Sequence, residues 1–212
     1  MWRIVNPLSS GMDLFTLLEE VQTIARNGLN YTENSYDRER YERLLALSAE
    51  SYSDILDVSA SELQAKLTGE LGSITPKVSG EAAIFDNQGR ILLMDRADGT
   101  GWCMPCGWSE PNERPADTAI RETLEETGLE VRIVRLVGVF SRKASAANGP
   151  HNMSGVLHLC EIVGGELTLS HEGLGLRYWL LDEVPRWHLD QEKKARAAHT
   201  MWLSEGVDAI SD

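Results

Sequence analysis

The amino-acid sequence predicts an α/β chain in two parts: an all-helical domain over residues 1–73 and a domain of strands interleaved with helices over 74–212. Three observations carry that prediction. Up to Leu71 the apolar residues recur at three- and four-residue intervals, the period of an amphipathic helix. From Lys77 onward they gather into short runs bounded by Gly, Pro, Asn and Asp, the pattern of strands and turns. Among those runs lies GWSEPNERPADTAIRETLEETGL, Gly107 to Leu129, a tight loop feeding a short acidic helix.

In chain order, Met12 to Arg26 carries Leu14, Leu17, Leu18, Val21, Ile24 and Ala25 in an amphipathic pattern, and Asn27-Gly28 is expected to end it. Ser35-Tyr36-Asp37 opens a second helix that runs through Tyr41, Leu44, Leu45, Leu47 and Ala49 to Leu56. A third covers Ala60 to Leu71, with Gly72 closing it. Val78–Phe85 and Arg90–Asp95, separated by Asp86-Asn87-Gln88-Gly89, read as a hairpin. In the acidic stretch Pro115 suits a first helical turn, where its missing N–H costs nothing, and Gly128 suits a left-handed cap. Helical spacing sets Ile120 and Leu124, with Ala116 and Thr127, on one side and Glu122, Glu125 and Glu126 on the other. Val131–Ser141, Ser154–Ile162, Glu166–Leu169 and Leu176–Leu181 follow as strands, with Ser145–Met153 a loop and Gly164-Gly165 a turn. Gln191–Leu203 is a last helix.

The net charge of −13 excludes broad, non-specific nucleic-acid binding, which needs a basic surface. No run approaches the ~18 apolar residues of a membrane span. The start, MWRIVNPLSSGMD, lacks an apolar signal core, so a cytoplasmic protein without a membrane partner is expected. An odd set of cysteines, Cys103, Cys106 and Cys160, argues against a disulfide framework.

Carboxylates crowded on one helix face repel each other, and helix stability does not ask for them. Hard cations among them would account for the arrangement, because Mg²⁺ takes oxygen ligands, keeps several waters and shares its shell with substrate phosphates. Beside a glycine loop the cluster suggests metal-assisted cleavage of a phosphoanhydride. A solvated, Glu-rich surface helix is the plainer alternative, but it would not also fix the glycines, the arginine and the spacing.

That spacing, Gly107-x5-Glu113-x7-Arg121-Glu122-x2-Glu125-Glu126-x-Gly128-Leu129 when read along the acidic stretch, resembles the Nudix box, GX5EX7REUXEEXGU with U a bulky aliphatic. Thr123 departs from it, standing where the pattern wants an aliphatic residue. Upstream, GLNYTENSYDRERYERLLALSAE resembles the small helical domain ahead of the Nudix fold in bacterial hydrolases of the CDP-choline and ADP-ribose pyrophosphatase type, through Gly28, Tyr31, Tyr36, Asp37, Arg40, Tyr41 and Glu42. The resemblance implies a Nudix fold, a mixed β-sheet sandwiched between helices, and hydrolysis of the diphosphate in nucleoside diphosphates linked to another moiety. It implies Mg²⁺, with Mn²⁺ as a possible substitute, held by Glu122, Glu125 and Glu126 and a backbone carbonyl near Cys106 or Gly107. By the same resemblance Arg121 orients a carboxylate, Glu113 is a ligand or positioning residue, and Glu172 stands where many members place the general base, with Glu122 the alternative. Trp102 and Trp108 flank the approach to the box as stacking candidates, core packing being the simpler role for one of them, and Phe140 falls near the expected cleft. A small-molecule nucleotide is the expected partner, and a homodimer the expected assembly.

Pro105-Cys106-Gly107-Trp108 stands where the family commonly reads P-G-G-W, so a thiol replaces a glycine. Packing with some redox sensitivity is the preferred account of Cys103-Met104-Pro105-Cys106, because zinc would need further ligands and a thioredoxin-like role lacks its βαβ context. Rival functions are a nucleoside triphosphate or RNA 5′-end pyrophosphohydrolase, a non-catalytic nucleotide sensor, and an isopentenyl diphosphate-type isomerase that would need one of these cysteines.

Overall fold

A computed structural model describes residues 13–56, 59–68, 75–110, 112–145, 151–204 and 206–212. Met12, the expected helix end at Leu71-Gly72 and residues 146–150 of the polar loop lie outside them. By backbone contacts the chain divides into two compact units, Met1–Pro76 with Lys143–Asn152, and Lys77–Arg142 with Met153–Asp212.

The first unit holds three helices. Helix α1, Leu14–Tyr31, starts at Asp13, whose carboxylate accepts the Thr16 N–H at 3.1 Å. It runs on through Asn27-Gly28, contrary to the expected stop. Gly28 serves packing: a Cβ there would lie 2.4 Å from the Tyr41 ring. Helix α2, Ser35–Leu56, is opened by Asn34, whose Oδ1 accepts the Tyr36 and Asp37 N–H groups at 2.9 and 3.3 Å. With α3, Ala60–Thr68, these helices bury Leu18, Ala49, Tyr52 and Leu63 in one cluster and Ala25, Leu45 and Leu67 in another.

The second unit holds two sheets, the larger of them mixed, with helices packed against them. Its strands are β1 (Lys77–Ile84), β2 (Ile91–Arg96), β3 (Trp102–Cys103), β4 (Cys106–Trp108), β5 (Leu129–Arg142), β6 (Met153–Gly165), β7 (Gly173–Trp179) and β8 (Ile210–Ser211). Five form a sheet in the order β4-β1-β6-β5-β8, with β1 parallel to β6, and three form a second in the order β3-β2-β7. Helix α4, Pro115–Thr127, packs Ala119 against Ala82, Ile84, Leu92, Leu129, Val131 and Cys160 on one side. Helix α5, Gln191–Leu203, packs Ala195, Ala198 and Met201 against Ala83, Leu157, Leu159, Val137 and Phe140 on the other. Six successive residues of β1 are therefore buried without alternation, as a strand covered on both faces requires.

Three expectations change. Asp86–Gly89 does turn the chain, with the Asp86 N–H on the Arg90 carbonyl at 3.0 Å, but β1 and β2 meet only at the Phe85–Ile91 bridge. Both edges of β1 are already taken, by β6 and β4, so β2 pairs with β7 in the other sheet. Gly164-Gly165 extends β6 instead of turning it; Gly165 has φ +81°, and a Cβ there would lie 2.3 Å from the Gly128 carbonyl of the passing chain. Glu166–Leu169 is no strand. Its backbone clamps the last turn of α4, the Thr168 N–H donating to the Thr127 carbonyl at 2.8 Å and the Ser170 N–H to the Glu126 carbonyl at 3.3 Å, which satisfies carbonyls that a helix end leaves open.

Candidate active site

Helix α4 presents a different face to the sheet from the one its apolar residues suggest. Thr118, Ala119, Thr123, Glu126 and Thr127 are buried, whereas Leu124 is 48% exposed. Small residues win because the helix lies directly on β1: a Cβ on Gly80 would sit 2.2 Å from the Pro115 carbonyl oxygen. Thr123, which departs from the box pattern, is fully buried and its hydroxyl returns to the Ala119 carbonyl at 2.7 Å. Gly128 stops the helix at φ 72°, its N–H on the Leu124 carbonyl.

Arg121 is the centre of the site's polar contacts. Its Nε and Nη2 grip both oxygens of Glu113 at 2.8 and 2.9 Å, and Nη1 reaches Glu122 Oε1 at 2.8 Å and Glu125 Oε2 at 2.9 Å. Nη2 also reaches the Trp108 carbonyl at 3.1 Å. A planar guanidinium can hold such a fork; an ammonium cannot. Glu113 further accepts the Glu110 N–H and the Thr118 hydroxyl, and Arg121 holds its carboxyl down at about 2. With its oxygens committed in this way, Glu113 is a brace between the loop and the helix.

Glu126 differs from its neighbours. It is 3% exposed, and Oε2 accepts the Cys106 N–H at 3.0 Å. Burial, then Cys103, Glu122 and Glu172, push its carboxyl up to about 9. Burial also raises Glu122, against the pull of Arg121, and Glu125 and Glu172 add to the rise. Glu172 thus acts on both carboxyls from the loop that clamps α4; its carbonyl accepts the Ala97 N–H at 2.9 Å. Gly107, on β4, lies flat against Glu122: a Cβ would fall 2.0 Å from Oε1. Cys106 enters through its backbone N–H, with the thiol half-buried, and Cys103 is fully buried.

The remaining expected residues lie as follows. Trp108 is 53% exposed beside Arg121. Trp102 stacks edge-on with Trp179 at 5.1 Å and packs against the core. Phe140, expected at the cleft, is 2% exposed inside the core, with Lys193 and Lys194 ammonium groups 5.6 and 5.9 Å from its ring centre. Sequence reasoning missed Glu81, Arg142 and Lys194. A single acid in the otherwise apolar run Gly80–Phe85 was the available signal.

The donor set consists of hard carboxylate oxygens with more negative charge than one arginine offsets. Arg121 takes one oxygen each of Glu122 and Glu125, which leaves the other of each for a ligand, and Glu126 is raised by burial first and then by the negative groups around it. These residues suit a divalent cation of the Mg²⁺ kind. Among the described residues no group of three or more His, Cys, Asp or Glu side chains is gathered so as to hold a metal ion by itself.

Residues 76–203 match the family profile described as NUDIX domain, and residues 12–67 match the one described as UDP-X-like, N-terminal oligomerisation domain. A Bacillus subtilis protein provisionally named as an ADP-ribose pyrophosphatase is 32% identical over 168 residues, covering 79% of this chain and 80% of that one. The ADP-ribose pyrophosphatase of Methanocaldococcus jannaschii is 28% identical over 113 residues, 52% of this chain and 66% of its own. Among solved structures, an ADP-ribose pyrophosphatase from Streptococcus suis superposes with a TM-score of 0.56 at 29% identity, over 65% of this chain and all of that one. A UDP-X diphosphatase shares the fold over 92% of this chain and 96% of its own, with a TM-score of 0.56 at 23% identity.

Proposed function

Because this chain belongs to the Nudix family and is a pyrophosphohydrolase, we propose that it hydrolyses the diphosphate bond of a nucleoside diphosphate linked to another group, of the ADP-ribose or CDP-choline type. The products are a nucleoside monophosphate and a phosphorylated partner. One observation carries the reading: a complete carboxylate cluster in which Arg121 holds Glu122 and Glu125, the Cys106 N–H holds Glu126, and Glu172 acts on Glu122 and Glu126. The names of the relatives support the substrate class.

Glu122, Glu125, Glu126 and the Gly107 carbonyl would hold Mg²⁺, or Mn²⁺ in its place. When bound, the ion polarises the diphosphate and acidifies water. Arg121 keeps Glu122 and Glu125 facing the substrate. Glu172 accepts the proton of the attacking water, with Glu122 the alternative acceptor. Glu113 braces Arg121, and Trp108 offers an exposed ring to the substrate.

The assembly is a homodimer formed through the helical domain. Support comes from the profile matched by residues 12–67 and from a row of exposed apolar residues, Leu14, Leu17 and Ile24 on α1 with Leu44 and Leu47 on α2. No helix among the described residues is long and apolar enough to cross a membrane.

The test is product analysis with Mg²⁺ or Mn²⁺ on ADP-ribose, CDP-choline, NADH, a nucleoside triphosphate and a dinucleoside polyphosphate, with Glu126→Gln as control. Cleavage of ADP-ribose or CDP-choline, lost in the control, supports the reading. Binding of nucleotides without cleavage of any would establish a sensor instead.

A further inference from the structure

Cys106, Gly107 and Trp108 line a cavity of about 190 Å³ together with Arg96, Arg142 and His188. Pockets that take a drug-sized ligand whole measure roughly 300–1,000 Å³. This one is smaller and has room for one flank of a substrate. Two of its lining residues also touch the carboxylate cluster, Cys106 through its N–H on Glu126 and Gly107 through its close approach to Glu122, so a group attached to a diphosphate on those carboxylates is within reach of it.

The charges around the cavity are unevenly satisfied. Glu81, in its wall, is spent: Oε1 takes the Lys194 ammonium at 2.8 Å and the Ser79 hydroxyl at 3.2 Å, and Oε2 takes Gln191 Nε2 at 3.3 Å. Arg96 is tied to Asp98 at 2.7 and 3.0 Å. Arg142 is not so matched. Its Nη2 points at the Met153 thioether at 2.8 Å, its Nη1 stands 3.7 Å from Asp190, and its Nε is buried with no acceptor among the described residues. A thioether is a weak acceptor for a group carrying five N–H donors, and a buried donor without a partner is costly. The positive field here also reaches His188, which burial first, then Arg96 and Arg142, push down to about 4.

The geometry points to this cavity as the pocket for a group flanking the diphosphate, with Arg142, backed by Arg96, selecting a group that carries an anionic oxygen over a neutral or cationic one. The inference rests on the hydrolase reading above. An anionic oxygen has two sources, a carboxylate on the linked sugar or an additional phosphate on a ribose. A quaternary ammonium such as choline meets two guanidinium groups and is disfavoured.

The experiment compares kcat/KM for UDP-glucuronate against UDP-glucose, 2′-phospho-ADP-ribose against ADP-ribose, and CDP-choline, in wild type, Arg142→Gln and Arg142→Lys. In one of the two pairs the acid is favoured on the order of tenfold or more, the worth of a charge-assisted hydrogen bond, and CDP-choline is the poorest of the five. That pair identifies the source. In Arg142→Gln the acid-to-neutral ratio falls to about one, and Arg142→Lys, which keeps the charge, retains a ratio above one. Ratios near one in both wild-type pairs, or an unchanged ratio in Arg142→Gln, overturn the assignment. Equilibrium binding of the same pairs to Glu126→Gln separates the two readings, since it needs no hydrolysis. A charge preference in affinity there upholds the pocket even if turnover fails, and equal affinities overturn it.

Discussion

At the scale of single residues, Arg121 shows how one side chain organises several others. Its five donors are divided among Glu113, Glu122, Glu125 and the Trp108 carbonyl. Arg121→Lys keeps the charge and loses the fork, so activity is expected to fall about 10- to 100-fold, the usual effect of removing a residue that orients metal ligands. A titration of activity with Mg²⁺ checks this, and the half-saturating concentration is expected to rise. His188 gives a pH prediction. Its folded pKa of about 4 lies below the ordinary 6.5, so the unfolded chain binds more protons between those values. Stability from this group is complete above pH 6.5 and is lost as pH falls through 4, by at most about 1.4 kcal/mol per pH unit. Urea unfolding of His188→Gln at pH 7 and pH 4.5 is expected to show a shallower acid loss than wild type. The box glutamates and Arg121 were legible because their partners lie within one helix turn or the preceding loop. Glu81, Arg142 and Lys194 were not, because Glu81 meets Lys194 across 113 positions of sequence.

At the scale of elements, the position of α4 is set by Gly80. Gly80→Val would place carbons where the Pro115 carbonyl and Ala119 N–H now lie, 2.2 and 2.7 Å from a Cβ. We expect a loss of roughly 1–3 kcal/mol, the cost of overpacking a filled contact, together with reduced activity as the helix lifts from β1. Denaturant unfolding beside a turnover assay checks both. The period change at Lys77, the cap at Gly128 and the helix at Gln191 were readable because local spacing decides them. The helix face was not: Leu124 has the apolar side chain, but close approach to β1 favours Ala119 and Thr123. Gly28 and Gly165 look like turns in sequence for a related reason, as each makes room for a neighbour from elsewhere in the chain. The two-residue strand β3 and three-residue strand β4 are too short to carry a period.

At the scale of the whole molecule, the homodimer proposal makes the exposed apolar row on α1 an interface. Leu17→Glu combined with Ile24→Glu introduces like charges there. Sedimentation is expected to show half the wild-type mass, with turnover per protomer retained at saturating substrate. An unchanged mass would place the interface elsewhere. Opening of the diphosphate of a linked nucleotide by water at the Glu122–Glu126 cluster is read out by ³¹P NMR of ADP-ribose turnover in ¹⁸O-enriched water with Mg²⁺. AMP and ribose 5-phosphate are expected as the phosphorus-containing products, with one of them carrying a single ¹⁸O, and no signal change with Glu126→Gln. Intact ADP-ribose after prolonged incubation, alongside release of pyrophosphate from a nucleoside triphosphate, would contradict it.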